Sequence, residues 1–213
     1  MTGTGSGFLA VLDYGIGNLR SAQKALQHLG ADARLVTDPE EAEGAAGVVL
    51  PGVGAFGACM RALHNSGLDE VARQAVAEST PFLGICVGMQ LLYEGSDESP
   101  GVDGLGLLPG RIRRLPDGVK HPQMQWNVLD LTRPDEPLFT GLDHPVWVYF
   151  VHSYAPEPTD DVIATCDYGG PVVAAAGRPN LWATQFHPEK SSATGLQLLA
   201  NFIRTATAAP VPV

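Results

Sequence analysis

A cysteine framed by glycines, Gly84-x-Cys86-x-Gly88, stands between an apolar run at 81–85 and a helical stretch at 87–93. A strand that bends sharply into a helix around a nucleophile needs this pattern, because Cβ atoms beside the bend would clash. The bend sets the thiol at a helix N-terminus, where backbone N–H groups and the helix dipole favour the thiolate. A free cysteine is more often just a small buried apolar residue. That plainer reading suits Cys59, in a helical pattern, and Cys166, in a strand pattern. The setting of Cys86 makes it the candidate nucleophile.

A cysteine nucleophile needs a base that is itself held by a third group. The sequence offers His28, His64, His121, His144, His152 and His187. His28 and His64 fall on polar helix surfaces and His144 in a polar turn. His187 is set apart by Gln185-Phe-His187-Pro-Glu189-Lys190 at the end of an apolar run. Residues two apart on a strand face the same way, so a carboxylate at 189 can reach the ring of His187. His-x-Glu alone is a weak signal, and a surface ion pair accounts for it equally well. Its weight comes from the elbow, far away in the chain, which only the fold can bring to it.

A third element, Leu50-Pro-Gly52-Val53-Gly54-Ala-Phe56-Gly57, follows a run of valines. Such a loop can turn backbone N–H groups toward a site at the carboxyl edge of a sheet. An oxyanion hole uses donors of this kind, each worth about 3–4 kcal/mol. A phosphate loop is the rival reading, but no Lys-Ser/Thr follows, so the Walker A pattern fails. Gly15-Ile-Gly17 fails as a dinucleotide fingerprint, with Arg20 where the third glycine belongs. No His-Glu-x-x-His and no paired Cys/His spacing suggests a metal.

These residues must be positioned by elements, and the first half of the chain supplies them in strict alternation. Strand patterns at 8–14, 33–36, 48–50 and 81–85 alternate with helical ones at 18–29, 58–65, 69–79 and 87–93. Asn18 is placed to cap the first helix and Gly30 to end it, while Asp38-Pro39-Glu40 reads as an N-cap with proline at the first position of a further helix. The strands are apolar throughout, as in a parallel sheet covered on both faces. From 104 to 186 the runs shorten and become rich in Val, Trp and Tyr between Pro, Gly and Asp. Strands are expected at 107–115, 146–153, 162–166, 172–176 and 181–185, several of them antiparallel. Ser191 is placed to cap a last helix to about 207. The expected architecture is a single α/β domain over 1–213. It has a mostly parallel central sheet, flanking helices, an added antiparallel region and loose ends at 1–7 and 208–213.

Length and composition agree with one globular unit. The chain has 213 residues, 45% of them hydrophobic and 17% charged. Its 23 acidic and 13 basic side chains leave a net charge of −10, which argues against a protein built to grip phosphate backbones. Three cysteines without close spacing exclude a disulfide scaffold and favour a reducing compartment. With no signal-peptide pattern and no long apolar run, a cytoplasmic protein is expected.

Taken together, these motifs resemble those of the class I (triad) glutamine amidotransferases. Within them the chain is similar to the glutaminase subunits of imidazole glycerol phosphate synthases. The resemblance runs through Asp13-Tyr-Gly-Ile-Gly-Asn18-Leu, Leu50-Pro-Gly-Val-Gly-Ala-Phe56 and Gly84-Ile-Cys-Val-Gly-Met-Gln90-Leu-Leu. It continues through Tyr149-Phe-Val-His-Ser153-Tyr154 and Gln185-Phe-His-Pro-Glu-Lys190-Ser. It implies that Cys86 attacks the side-chain amide of glutamine, with His187 carrying protons and Glu189 orienting it. Gly52, Val53 and Val87 would supply the oxyanion hole. Gln90, Glu98, Ser153 and Tyr154 would surround the glutamine, although Gln90 and Ser153 can equally be structural hydrogen-bonders. No cofactor and no metal is implied.

The resemblance also implies a heterodimer with a cyclase subunit, which takes up ammonia directly and forms imidazole glycerol phosphate and an aminoimidazole carboxamide ribotide. Asp13, Asn18, Trp126 and Lys190 are the candidates for the docking face, each of which can also be an ordinary surface or capping residue. One stretch departs from the family pattern Pro-His-Met-Gly-Trp-Asn. Here it reads His121-Pro-Gln123-Met-Gln125-Trp126-Asn127, which changes the expected interface but not the triad. Two other readings stay open. One is an amidotransferase subunit serving anthranilate, aminodeoxychorismate or pyridoxal phosphate synthesis. The other is a non-catalytic sensor in which Cys86 is merely a reactive thiol.

Overall fold

The structure is a computed structural model and describes residues 7–208. The expected loose ends therefore lie outside the described residues, apart from Gly7 and Ala208.

Four apolar runs become parallel strands: β1 (Leu9–Leu12), β2 (Ala33–Val36), β3 (Gly47–Gly52) and β4 (Phe82–Cys86). Their residues are buried almost throughout, as in a sheet with both faces covered. The helices are α1 (Leu19–His28), α2 (Phe56–Asn65), α3 (Leu68–Ala77), the short α4 (Val87–Leu91) and α5 (Ser192–Thr207). Helix α1 packs against α5, and α2 against α3 and α4. Right-handed crossovers leaving β1 and β3 in opposite directions put these two groups on opposite faces.

The antiparallel part comprises β5 (Ile112–Arg114), β6 (Gln123–Val128), β7 (Asp130–Leu131), β8 (Trp147–His152), β9 (Tyr154–Pro156), β10 (Val162–Asp167), β11 (Pro171–Arg178) and β12 (Leu181–Thr184). The main sheet runs β2-β1-β3-β4-β12-β11-β10-β7. Strand β12 is the joint: it lies parallel to β4 and antiparallel to β11. Strands β6 and β8 form a separate two-stranded ribbon, as do β5 and β9. One continuous apolar core runs from Leu9 to Ala206.

Several expected elements are corrected. The strand expected over 107–115 shrinks to β5. Leu107 and Leu108 instead donate their N–H groups to the Leu92 carbonyl at the end of α4, and Gly110 turns at φ +91°. Strands β6 and β7 were not expected at all. Asn18 precedes α1 but makes no side-chain cap; its Oδ1 accepts from the Ser21 hydroxyl at 2.7 Å. Ser191 likewise does not cap α5. Its hydroxyl donates to the His187 carbonyl at 2.7 Å and accepts from the Tyr149 N–H at 3.0 Å. Asp38 does cap, but what it opens is a 3₁₀ turn, Pro39–Ala42, closed by Glu41 in a capping box.

Candidate active site

Strands β1, β3, β4 and β12 run parallel, so the segments that follow them emerge on one edge of the sheet. Cys86 is the last residue of β4, opposite Gly52, the last residue of β3. Ile85 pairs with Thr184 at the end of β12, so His187 leaves the neighbouring strand only a few residues on. Adjacency of β4 and β12 is what closes the long sequence gap between thiol and imidazole.

Cys86 holds φ 56° and ψ −113°, a conformation costly for a residue with a Cβ and characteristic of functional bends. The bend fits only because of its glycines. A Cβ on Gly88 would overlap the Leu50 carbonyl oxygen, and one on Gly52 would lie 2.7 Å from the Gly88 nitrogen. The β3 loop is thereby pressed against the start of α4. Two buried groups fix the carbonyls of that loop: the Tyr14 hydroxyl donates to Pro51 O at 2.8 Å, and the Cys59 thiol to Val53 O at 3.2 Å. Burial raises the pKa of both, of Cys59 to about 11, so both remain donors. Cys59 thus packs in the core, as expected, and also steadies the loop.

His187 and Glu189 meet at 2.7 Å, Nδ1 to Oε1, with both side chains 2% exposed. The expected reason was wrong in one respect. Strand β12 stops at Thr184, and the pair is set by a 3₁₀ turn, Pro188–Lys190, pinned by the Ser191 hydroxyl. Burial of this ring works to lower its pKa, but the neighbouring Cys86 and Glu189 outweigh it and push it up to about 9. With Nδ1 committed to Glu189, Nε2 has no fully formed hydrogen bond. It is the nitrogen free to serve the thiol.

Cys86, His187, Val53, Val87, Gln90, Glu98, Ser153, Tyr154 and Lys190 all line one cavity of about 270 Å³. Of the other expected residues, Glu189 sits behind His187, and Gly52 lies beneath the cavity at the strand end. Glu98 accepts the Phe56 N–H at 2.7 Å, and the Ser99 hydroxyl accepts that of Gly57 at 3.0 Å. They satisfy the N-terminus of α2, where Ala55 has no capping side chain. Gln90 is buried and donates its amide N–H groups to Tyr154 O and to Gln185 Oε1, each at 3.0 Å.

Sequence reasoning missed His152, Val151, Pro122 and Gln185. The first three line the cavity, while the Gln185 amide lies 3.9 Å from the Cys86 sulfur. The signal for Gln185 was the strand register, which a β4–β12 pairing would have supplied.

Asp13 and Asn18 border a separate surface depression with Gly17 and Arg20. Trp126 lies on the β6–β8 ribbon, 44% exposed, with Met124 at 59% and Trp147 at 46%. Lys190 is exposed at the cavity mouth. The four candidate docking residues are thus spread around the site edge and do not form one cluster. Gln123 is fully buried, so of the two residues that depart from the family pattern only Gln125 reaches the surface. Among the described residues, no group of three or more His, Cys, Asp or Glu is arranged to hold a metal ion, and no helix is long and apolar enough to cross a membrane.

The fold and site define a class, and comparison with known proteins agrees. The model of the family described as glutamine amidotransferase class-I matches residues 10–206. Solved structures share the fold at low identity. One described as a glutamine amidotransferase has a TM-score of 0.75 at 22% identity, covering 94% of this chain and 99% of that one. The PurLQS structure from Thermotoga maritima has a TM-score of 0.72 at 18% identity, covering 94% and 97%.

Closer relatives are called imidazole glycerol phosphate synthase subunit HisH. The protein of that name from Symbiobacterium thermophilum is 50% identical over 198 residues, 92% of this chain and 93% of the relative. Its counterpart from Methanothermobacter thermautotrophicus is 49% identical, covering 92% and 97%. The chain belongs to the HisH family of class-I glutamine amidotransferases.

Proposed function

We propose that this chain hydrolyses L-glutamine to glutamate and ammonia as the glutaminase subunit of imidazole glycerol phosphate synthase, in histidine biosynthesis. We further propose that Cys86, His187 and Glu189 perform the reaction and that residues 1–213 form one amidotransferase domain. The observation that carries this reading is the strained elbow at Cys86, with a buried His187–Glu189 pair emerging from the adjacent strand.

The Cys86 thiolate attacks the side-chain amide carbon, and the C=O electron pair moves onto oxygen. That oxyanion is met by the N–H groups of Val87, at the start of α4, and of Val53, in the loop steadied by Tyr14 and Cys59. The His187 imidazolium gives its Nε2 proton to the departing nitrogen, so the C–N bond breaks with release of ammonia and a thioester remains. Water, deprotonated by the now neutral His187, hydrolyses the thioester to glutamate and restores the thiolate–imidazolium pair. Glu189 holds Nδ1–H throughout and stabilises the charged ring. Gln90, Glu98, Ser153 and Tyr154 border the space the glutamine would fill.

Ammonia released to bulk water is largely protonated and no longer nucleophilic. A cyclase subunit docked over the cavity mouth, where Lys190 and the apolar face of the ribbon stand, would receive it directly. Trp126 stands on that ribbon face, and Asp13 and Asn18, which border a separate depression, are the further candidates for docking. Free buried thiols at Cys59, Cys86 and Cys166 fit a reducing cytoplasm.

The test is synthase activity with the cyclase subunit, fed either glutamine or ammonia. Cys86→Ala is expected to lose glutamine-dependent synthesis by at least about a thousandfold and keep the ammonia-dependent reaction. A variant that still used glutamine would sink the mechanism.

A further inference from the structure

Behind Cys86 lies a run of buried amides that the reaction as described leaves unused. The order in which their hydrogens must point follows from which groups can only accept. The Tyr154 carbonyl is an acceptor and lies 3.0 Å from the Gln90 amide nitrogen and 2.8 Å from His152 Nδ1. Gln90 must therefore turn its NH₂ toward that carbonyl, since its own oxygen there would face another oxygen. The same NH₂ lies 3.0 Å from Gln185, which must answer with its oxygen. The Gln185 NH₂ then has one direction left, toward the Cys86 sulfur at 3.9 Å.

The far end of the run is equally determined. His152 is 6% exposed, and burial pushes its pKa down to about 4, so its ring is neutral. With Nδ1–H given to Tyr154 O, Nε2 must accept. As placed, Gln123 sets Oε1 3.0 Å from that nitrogen and its NH₂ 3.9 Å from the Cys166 sulfur; an accepting Nε2 calls for the flipped amide, with NH₂ to the ring and oxygen to Cys166. Cys166, raised to about 11 by burial, keeps its proton to give. With the Gln123 amide so turned, no member of the run can rotate its amide without setting two acceptors or two donors face to face, a penalty of about 1–3 kcal/mol per group.

We infer that Gln185 is a further catalytic residue: its side-chain amide N–H donates to the Cys86 sulfur and favours the thiolate, its orientation fixed through Gln90, Tyr154 O, His152 and Gln123. Fully buried one residue past the strand beside β4, Gln185 has no rotamer freedom to spend on other partners. The donated hydrogen bond is strongest when sulfur is charged, so it acts on the reactive form of the nucleophile. This inference rests on Cys86 being the glutaminase nucleophile, and it adds a fourth side chain to the three proposed above.

The experiment uses the full chain with its cyclase subunit and measures two things. One is the rate of iodoacetamide alkylation of Cys86 against pH, read by peptide mass spectrometry with and without glutamine. The other is glutamine turnover. Gln185→Met keeps length and removes the N–H. Its alkylation profile is expected to shift about one pH unit to the alkaline side and its turnover to fall about tenfold, with KM for glutamine changed less than about threefold. Should that variant not fold, Gln185→Glu keeps the shape and sets a carboxylate against the sulfur; alkylation at neutral pH then slows at least tenfold. A wild-type alkylation profile in either folded variant overturns the role of Gln185 while leaving the nucleophile in place. If glutamine fails to protect Cys86 of the wild type, the nucleophile reading falls, and this inference falls with it.

Discussion

His187 and His152 stand close together yet are driven in opposite directions, and the difference is in what each ring touches. Both lose hydration. His187 gains a carboxylate and a thiol, and stays charged to about pH 9; His152 gains a carbonyl and an amide, and stays neutral to about pH 4. The proposed reaction needs the His187 proton for the leaving nitrogen, so glutamine turnover is expected to fall on the alkaline side through about pH 9. Glu189→Gln removes one of the two supports for the charge and should bring that fall to lower pH, read from kcat against pH with the partner present. The same shift has a stability consequence. A ring whose folded pKa lies above its unfolded value of about 6.5 gives its full contribution below that pH and loses it as pH rises to about 9. His152 has the opposite sign: its neutral burial costs nothing above pH 6.5 and progressively destabilises the fold down to about pH 4, by about 3 kcal/mol at the limit. Thermal midpoints measured from pH 8 to 4 should therefore drop less in His152→Asn than in the wild type.

At the scale of the elements, the elbow depends on an approach closer than any side chain permits. Gly88→Ala would drive its Cβ into the Leu50 carbonyl and part β3 from α4. A loss of at least about 3 kcal/mol is expected in chemical denaturation, with collapse of turnover. Helix α5 is tied to the segment before β8 by Asn201, whose buried amide donates to Leu138 O and Thr140 O, each at 2.8 Å. Asn201→Leu leaves both carbonyls unpaired and should cost about 2–3 kcal/mol without altering the pH profile of the reaction.

Elements also decide what could be read from the sequence. The parallel half was legible to within a residue or two, because buried strands and amphipathic helices write their periods plainly. The elbow was legible for a different reason, the two glycines flanking Cys86, and His187–Glu189 only in combination with it, since the pair is set by a 3₁₀ turn and not by the strand period. Strand β6 was not. Gln123-Met-Gln-Trp-Asn-Val alternates, but its buried member is the polar Gln123, satisfied by His152, while Met124 and Trp126 face outward. A polarity pattern read the usual way points such a strand in the wrong direction. Gln185 was hidden differently, since its role exists only through the register of β12 on β4.

For the whole molecule, the sheet edge gathers the chemistry and the ribbon frames it. Met124, Trp126 and Val128 pair across with Val151, Tyr149 and Trp147, giving an apolar face beside a cavity whose floor is Cys86. Trp126 packs edge-on against Tyr149 at 6.0 Å, and Tyr149 in turn holds the turn of His187 through its carbonyl and N–H. Trp126→Ala is expected to weaken cyclase binding by about 2 kcal/mol, roughly thirtyfold in Kd. The thermal midpoint of the isolated chain should move little, since the ring is exposed there. Calorimetric titration and a melting curve on the same variant check both.

A ribbon that keeps its glutamine inside and its tryptophans outside has a cost unrelated to catalysis. Wide apolar surface on a paired strand invites self-association, so if the proposed cyclase subunit covers this face, the solitary chain is expected to be the sticky species and the paired one the well-behaved one. A preparation with this subunit in excess should lose material to precipitation until the two are equimolar, and then stop. Mutual solubility would thus enforce a one-to-one ratio that nothing in the cavity itself requires.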